Sequence, residues 1–290
     1  AFSDPRLGES LFATPLQWLG CSPVAAYNLT LIATFPLSAL AAHWLGIVLT
    51  GRHDAATVAG LAYGFCPYRI AHLPHLELLA GFGMPAALAA LHRYRDTLHW
   101  RWLIVFSVAL VVQGLCSSYY LLFFAVLLAL WLVWFTRAQD VRAFLGIGSA
   151  GACALVMLSP LVLGLARIHR YYGFERSLQE ISRFSANLTS VLTAHESSWL
   201  WGWTARWAKS EGELFPGVVI SVLAIIAAVE AWRRDSSRDS IDRASAWLLA
   251  AAVTFATLGP PAYRPHAAIT HDGEHILAFA LVGLAFAAAY

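Results

Sequence analysis

Long apolar runs recur along this chain, and short polar stretches punctuate them. The first run covers about 24–50 and is opened by Pro23, a residue favoured at the first helical position because its missing N–H is not needed there. The next, AATVAGLAYGF at 55–65, falls short of the roughly 20 residues that a span requires, and its Ala and Gly suit close helix contact. Pro67 ends it. The pattern then predicts a helix from near Pro74 to Leu91, and further ones at about 102–116, 119–136, 143–167, 215–232, 244–258 and 276–290. Helices satisfy their own backbone groups in lipid, so this is read as an all-α, polytopic transmembrane helix bundle of about nine membrane segments. Two polar stretches break the rhythm. Residues 1–21 carry Leu11, Phe12, Leu16, Trp18 and Leu19 in an amphipathic pattern that suits a helix lying in the interface. Residues 168–214 form the longest polar stretch, an aromatic-rich, amphipathic loop expected to be ordered on the membrane surface. The chain opens in a polar segment at Ala1 and stops in an apolar run at Tyr290, so 1–290 reads as a single transmembrane domain from a longer protein.

Composition supports the membrane reading. The chain is 59% hydrophobic and 12% charged, against about 25% charged in a soluble domain. Its 12 Trp and 10 Tyr fit interfacial aromatic belts. The net charge of +2 and the scattered basic residues argue against nucleic acid as a partner. Cys21, Cys66, Cys116 and Cys153 show no C-x-x-C spacing and predict neither a disulfide framework nor a zinc site.

Charge then orients the bundle. With RRDSSRDSIDR inside, the inside loops are 51–54, 93–101, 137–142 and 233–243, and they hold ten of the 19 Lys and Arg in a small share of the loop length. The same alternation puts 1–21, 67–76, 117–119, 168–214 and 259–275 outside together, with seven of the eleven histidines. The expected location is a membrane crossed many times, with the polar chemistry on its non-cytoplasmic face.

The densest chemistry is FCPYRIAHLPHLELL, 65–79. Arg69, His72 and His75 there could hold a phosphate or diphosphate, Arg by its bidentate fork and His as a second donor. The other reading is an interfacial turn in which Pro74 starts a helix and Glu77 favours its N-terminus. Pro74 also breaks the helical spacing that a His72–His75 metal pair would need. Asp4 and Glu9 could act as a general base, or could cap a turn and begin the interfacial helix. Tyr119 and Tyr120, in CSSYY, could hydrogen-bond a sugar or belong to an aromatic belt. Trp199, Trp201, Trp203 and Trp207 could stack on a sugar or on lipid, and interface anchoring is the commoner role for such residues.

In combination these pieces resemble a group of large bacterial integral membrane proteins related to the GT-C glycosyltransferases. FSDPRLGESLFATPL is similar to the end of their first outer loop, and PVAAYNLTL to the start of the next helix. FCPYRIAHLPHLELL resembles their F-x-P-Y-R-x-x-H-x-x-H-x-x-L turn, and LCSSYYLLFFA their SS-(G)-YY junction. FSANLTSVLTAHESSWLWG and ELFPGVV resemble a later loop and the helix after it, with Asn187 standing where the family has an acid. The resemblance implies a GT-C-like fold and transfer of a sugar from a polyprenyl-phosphate donor to an outer-face glycan, lipid or protein acceptor. It implies that Asp4 and Glu9 lie near the base position, and that Arg69, His72 and His75 hold the lipid phosphate. Tyr119 and Tyr120 join the substrate site. No cofactor is indicated, though a divalent cation is compatible. The alternatives are a lipid-linked sugar transporter or flippase, and a non-catalytic membrane protein.

Overall fold

The computed structural model describes residues 6–136, 140–173, 184, 186, 188–208 and 212–233. Among them the chain is all-helical, with no strand. The helices are α1 (Leu7–Trp18), α2 (Pro23–Thr50), α3 (His53–Gly64), α4 (Pro67–Ala71), α5 (Leu76–Leu79), α6 (Gly83–Thr97), α7 (Arg101–Cys116), α8 (Ser118–Phe135), α9 (Val141–Tyr172) and α10 (Val218–Arg233). Two 3₁₀ turns, Leu188–Leu192 and Gly202–Trp207, lie between α9 and α10. The described residues of 1–65 and 72–174 form one compact unit, and those of 66–71 and 175–290 form another.

In the first unit α2, α8 and α9 are each long and apolar enough to cross a membrane. At 1.5 Å per residue they are about 42, 27 and 48 Å long, against a hydrocarbon core of about 30 Å. Of the nine segments expected from the apolar pattern, three therefore have spanning length among the described residues. α7 and the stretch Val218–Ala227 of α10 are apolar but shorter, and 244–258 and 276–290 lie outside the described residues.

Pro23 takes the first turn of α2 as expected, and the Ser22 hydroxyl caps it by accepting the Ala25 N–H at 3.2 Å. α2 and α3 pack as a hairpin whose contact is made by small residues. A Cβ on Gly60 would lie 2.7 Å from the Ala39 carbonyl, and one on Gly64 2.9 Å from the Ala39 nitrogen, so only glycine lets the backbones approach this closely. The core of the unit follows the same rule. Ala87, Ala90, Ala143, Ala150 and Ala154 are buried against Phe106, Leu110, Phe124 and Trp131. α1 turns Gly8 and Glu9 inward and sets Phe12 edge-on against Phe82 at 5.8 Å, while Leu11 and Trp18 are exposed.

Three elements differ from the sequence expectation. The helix expected from Pro74 to Leu91 is two helices: α5 stops at Leu79, the chain leaves the helix over Ala80–Phe82, and α6 begins at Gly83. Helix α9 runs past 167 to Tyr172 and ends where Gly173 turns left-handed, with φ 60°. Beyond Gly173 the described part of the expected amphipathic loop holds two 3₁₀ turns, Leu188–Leu192 and Gly202–Trp207. Ser190, Thr193 and Thr204 are buried in it, the Thr193 and Thr204 hydroxyls bond to backbone, and Trp199, Trp203 and Trp207 are exposed.

Candidate functional site

The break between α5 and α6 organises one end of the first unit. Helix α5 is a single turn, and the backbone after it lacks helical partners for several carbonyls. Unpaired backbone groups in an apolar surrounding are costly, so such a break persists only where side chains take their place. Tyr120 at the start of α8 donates its hydroxyl proton to the Leu78 carbonyl at 2.7 Å. Gln113 of α7 donates its side-chain amide to the Ala80 carbonyl at 3.0 Å. Tyr63 of α3 donates to the Gly81 carbonyl at 2.8 Å. Three helices thus clamp a segment of four residues.

The clamp fixes Glu77, which is buried on the inner side of α5. Its carboxylate meets a guanidinium and an imidazole: Arg6 Nη2 lies 2.9 Å from Oε2, and His75 Nδ1 lies 3.3 Å from Oε1. Arg6 reaches it from the residue preceding α1, with φ 48° and ψ 33°. A left-handed backbone at a non-glycine residue costs on the order of 1 kcal/mol, and here it goes with an ion pair on a carboxylate 11% exposed. The ring of His72, itself buried, is 6.3 Å from that of His75.

The first turn of α1 is anchored beside this group. A Cβ on Gly8 would lie 2.7 Å from the Cys116 backbone nitrogen, so α1 touches the α7–α8 junction directly. Glu9, the next residue, is buried at 4% exposure. Ser117 caps α8 at that junction, accepting the Tyr120 N–H at 3.4 Å. Three stretches far apart in sequence (6–9, 72–81 and 113–120) therefore meet at one end of the unit, and two carboxylates and two histidines sit among them.

The expected site residues divide as follows. Glu9, His72, His75 and Tyr120 are gathered at this end. Tyr119 is on the same turn as Tyr120 but half exposed, and the Tyr120 hydroxyl is committed to backbone. Arg69 lies on α4 in the other unit, where it is buried and its N–H bonds the Cys66 carbonyl at 3.0 Å. Asp4 lies outside the described residues. Among the described residues no three His, Cys, Asp or Glu side chains converge as a metal site would need. Sequence reasoning missed Arg6 and Gln113, and treated Glu77 as a helix-end charge. The available signal was the spacing of Glu77 two residues after His75. Arg6 carried none, because its partner is some seventy positions away.

No match to the chain is found among curated proteins or among solved structures. Residues 9–272 match the family model described as a domain of unknown function, DUF6311, and the chain belongs to that family.

Proposed function

We propose that the protein is a polytopic, GT-C-like membrane glycosyltransferase that moves a sugar from a polyprenyl-phosphate donor to an acceptor hydroxyl on the outer face of the bacterial cytoplasmic membrane. The observation that supports this reading is the collection of Glu9, Glu77, His72 and His75 at one end of the first unit. In the proposed reaction the Glu9 carboxylate takes the proton of the acceptor hydroxyl as its oxygen bonds the anomeric carbon. The bond from that carbon to the phosphate oxygen breaks, and the lipid phosphate leaves with the electron pair. General-base assistance of this kind contributes about 10²–10⁴-fold. His72 and His75 supply ring N–H donors for the departing phosphate. Glu77, held by Arg6, fixes the position of the His75 ring.

The test is transfer of radiolabelled sugar from a polyprenyl-phosphate donor to an envelope acceptor extract by the chain reconstituted in liposomes. Glu9→Gln should lower turnover by about 10²–10⁴-fold with donor binding kept, and His72→Ala should weaken donor binding. Transfer that survives both substitutions together sinks the assignment. Donor binding without turnover in the unaltered protein favours a lipid-linked sugar carrier.

A further inference from the structure

The second unit carries a surface that the proposed reaction does not use. We infer that the loop 195–207 is a membrane-interface anchor, which sets Trp199, Leu200, Trp203 and Trp207 into the headgroup layer of the bilayer at the head of α10.

The loop is rigid for internal reasons. The buried Thr204 hydroxyl accepts the Ala194 N–H and donates to the Trp201 carbonyl, both at 2.8 Å. The Gly202 N–H bonds the Ser198 carbonyl at 2.7 Å, and the Ser198 N–H bonds the His195 carbonyl at 2.9 Å. Thr193 and Ser190 are buried, and their carbonyls accept the N–H groups of Phe215 at 3.2 Å and Leu214 at 3.0 Å. Thr204 is turned inward, while Trp199, Leu200, Trp203 and Trp207 face out beside the polar side chains of Glu196, Ser197 and Arg206. Trp199 is 98% exposed and Leu200 60%. In water this arrangement forgoes the burial that four large side chains would give.

Position identifies the occupant. Leu214 and Phe215 lead directly into α10, which begins at Val218. Trp201 is the one tryptophan of the four that folds back, its ring 5.6 Å from that of Phe215. The loop is therefore pinned to the first turn of α10. That helix exposes Val219, Leu223 and Ile226, an apolar flank that acyl chains cover. A bilayer placed on this flank brings its headgroup boundary to the turn where the loop is attached. Tryptophan is the side chain most at home at that depth, apolar in body with one N–H to donate. Arg206 adds charge complementarity: its guanidinium lies 5.1 Å from the Trp203 ring and 4.9 Å from the Trp207 ring, a stacked cation suited to lipid phosphate.

The test uses the whole chain carrying 5-fluorotryptophan, reconstituted in phosphatidylcholine–phosphatidylglycerol nanodiscs. The fluorine resonances of 199 and 203 are assigned by Trp199→Phe and Trp203→Phe. Both side chains are exposed, so these substitutions leave the fold intact. A nitroxide near the ester end of the acyl chain should broaden both signals several-fold more than one at the methyl end, and more than a water-soluble gadolinium chelate. Trp201 should respond less than either and serves as the internal reference. Broadening by the aqueous agent alone overturns the inference. So does protection from every agent, which would mean a protein cover. Signals at 199 and 203 that stay open to water until a soluble oligosaccharide is added would make the loop a sugar platform, and that outcome also overturns it.

Discussion

The two ends of the first unit each hold a histidine in an inward position, and the two histidines do opposite things. At one end His75 stands 3.3 Å from the Glu77 carboxylate, which Arg6 also holds, and its side chain keeps 38% exposure. At the other His92 of α6 is buried edge-on between Trp131 and Phe135, with ring centroids 5.2 and 4.8 Å away. It accepts the Trp131 indole N–H at 3.0 Å. Burial, with Arg95 nearby, holds its pKa down to about 4. His92 is thus a neutral packing ring with one satisfied acceptor. His75 sits against a carboxylate and is open on one side. Burial alone does not mark a site here; the difference lies in the partner, a carboxylate at one end and an indole at the other.

The largest effect that sharpens this contrast is the pH dependence of His92. Above about pH 6.5 the ring is neutral in folded and unfolded chains alike, and the full stabilisation is present. Below 6.5 the unfolded chain binds a proton that the folded chain refuses, so stability falls until the folded ring titrates near pH 4. The whole loss is about 3 kcal/mol. It is measured as the fall in thermal midpoint in detergent between those pH values, and His92→Phe should flatten that part of the curve. At the other end Glu77→Gln should cost about 2 kcal/mol at neutral pH, because Arg6 keeps its charge and loses its carboxylate. Arg6→Gln on that background should return part of the loss, and a double-mutant cycle of thermal midpoints reads the coupling. The smallest effect is Trp131→Phe, about 1 kcal/mol, which leaves the His92 acceptor without its donor. Adding His92→Phe should recover much of it, since two apolar rings replace the pair. A cycle that showed no coupling would mean that the hydrogen bond contributes nothing beyond packing.

Much of the helical frame was legible from residues alone. Pro23 and the apolar run after it mark where α2 starts, and α7, α8 and α10 begin within a few residues of their expected positions. The close approach of α3 was legible from Gly60, Gly64 and their small neighbours. The break at Ala80–Phe82 was not. GFG reads as a flexible interruption, but whether a helix survives it depends on what can replace its hydrogen bonds. Here the replacements are Tyr63, Gln113 and Tyr120, which come from three other helices. The site was half legible for the same reason. Glu9, His72 and His75 stood out as polar groups beside apolar runs, whereas the role of Glu77 rests on Arg6, a contact between residues remote in sequence.

The sequence by itself determined the class of molecule: periodicity and the scarcity of charge leave helices, three of them of spanning length among the described residues. It determined which residues carry chemistry, because polar groups are few and conspicuous in so apolar a chain. Tertiary structure decided what each of them does. An ionisable side chain takes its character from what lies within about 4 Å, and helix packing sets those neighbours. Packing put an indole against His92 and a carboxylate against His75, and it turned Thr204 of the 195–207 loop inward while Trp199, Trp203 and Trp207 face out.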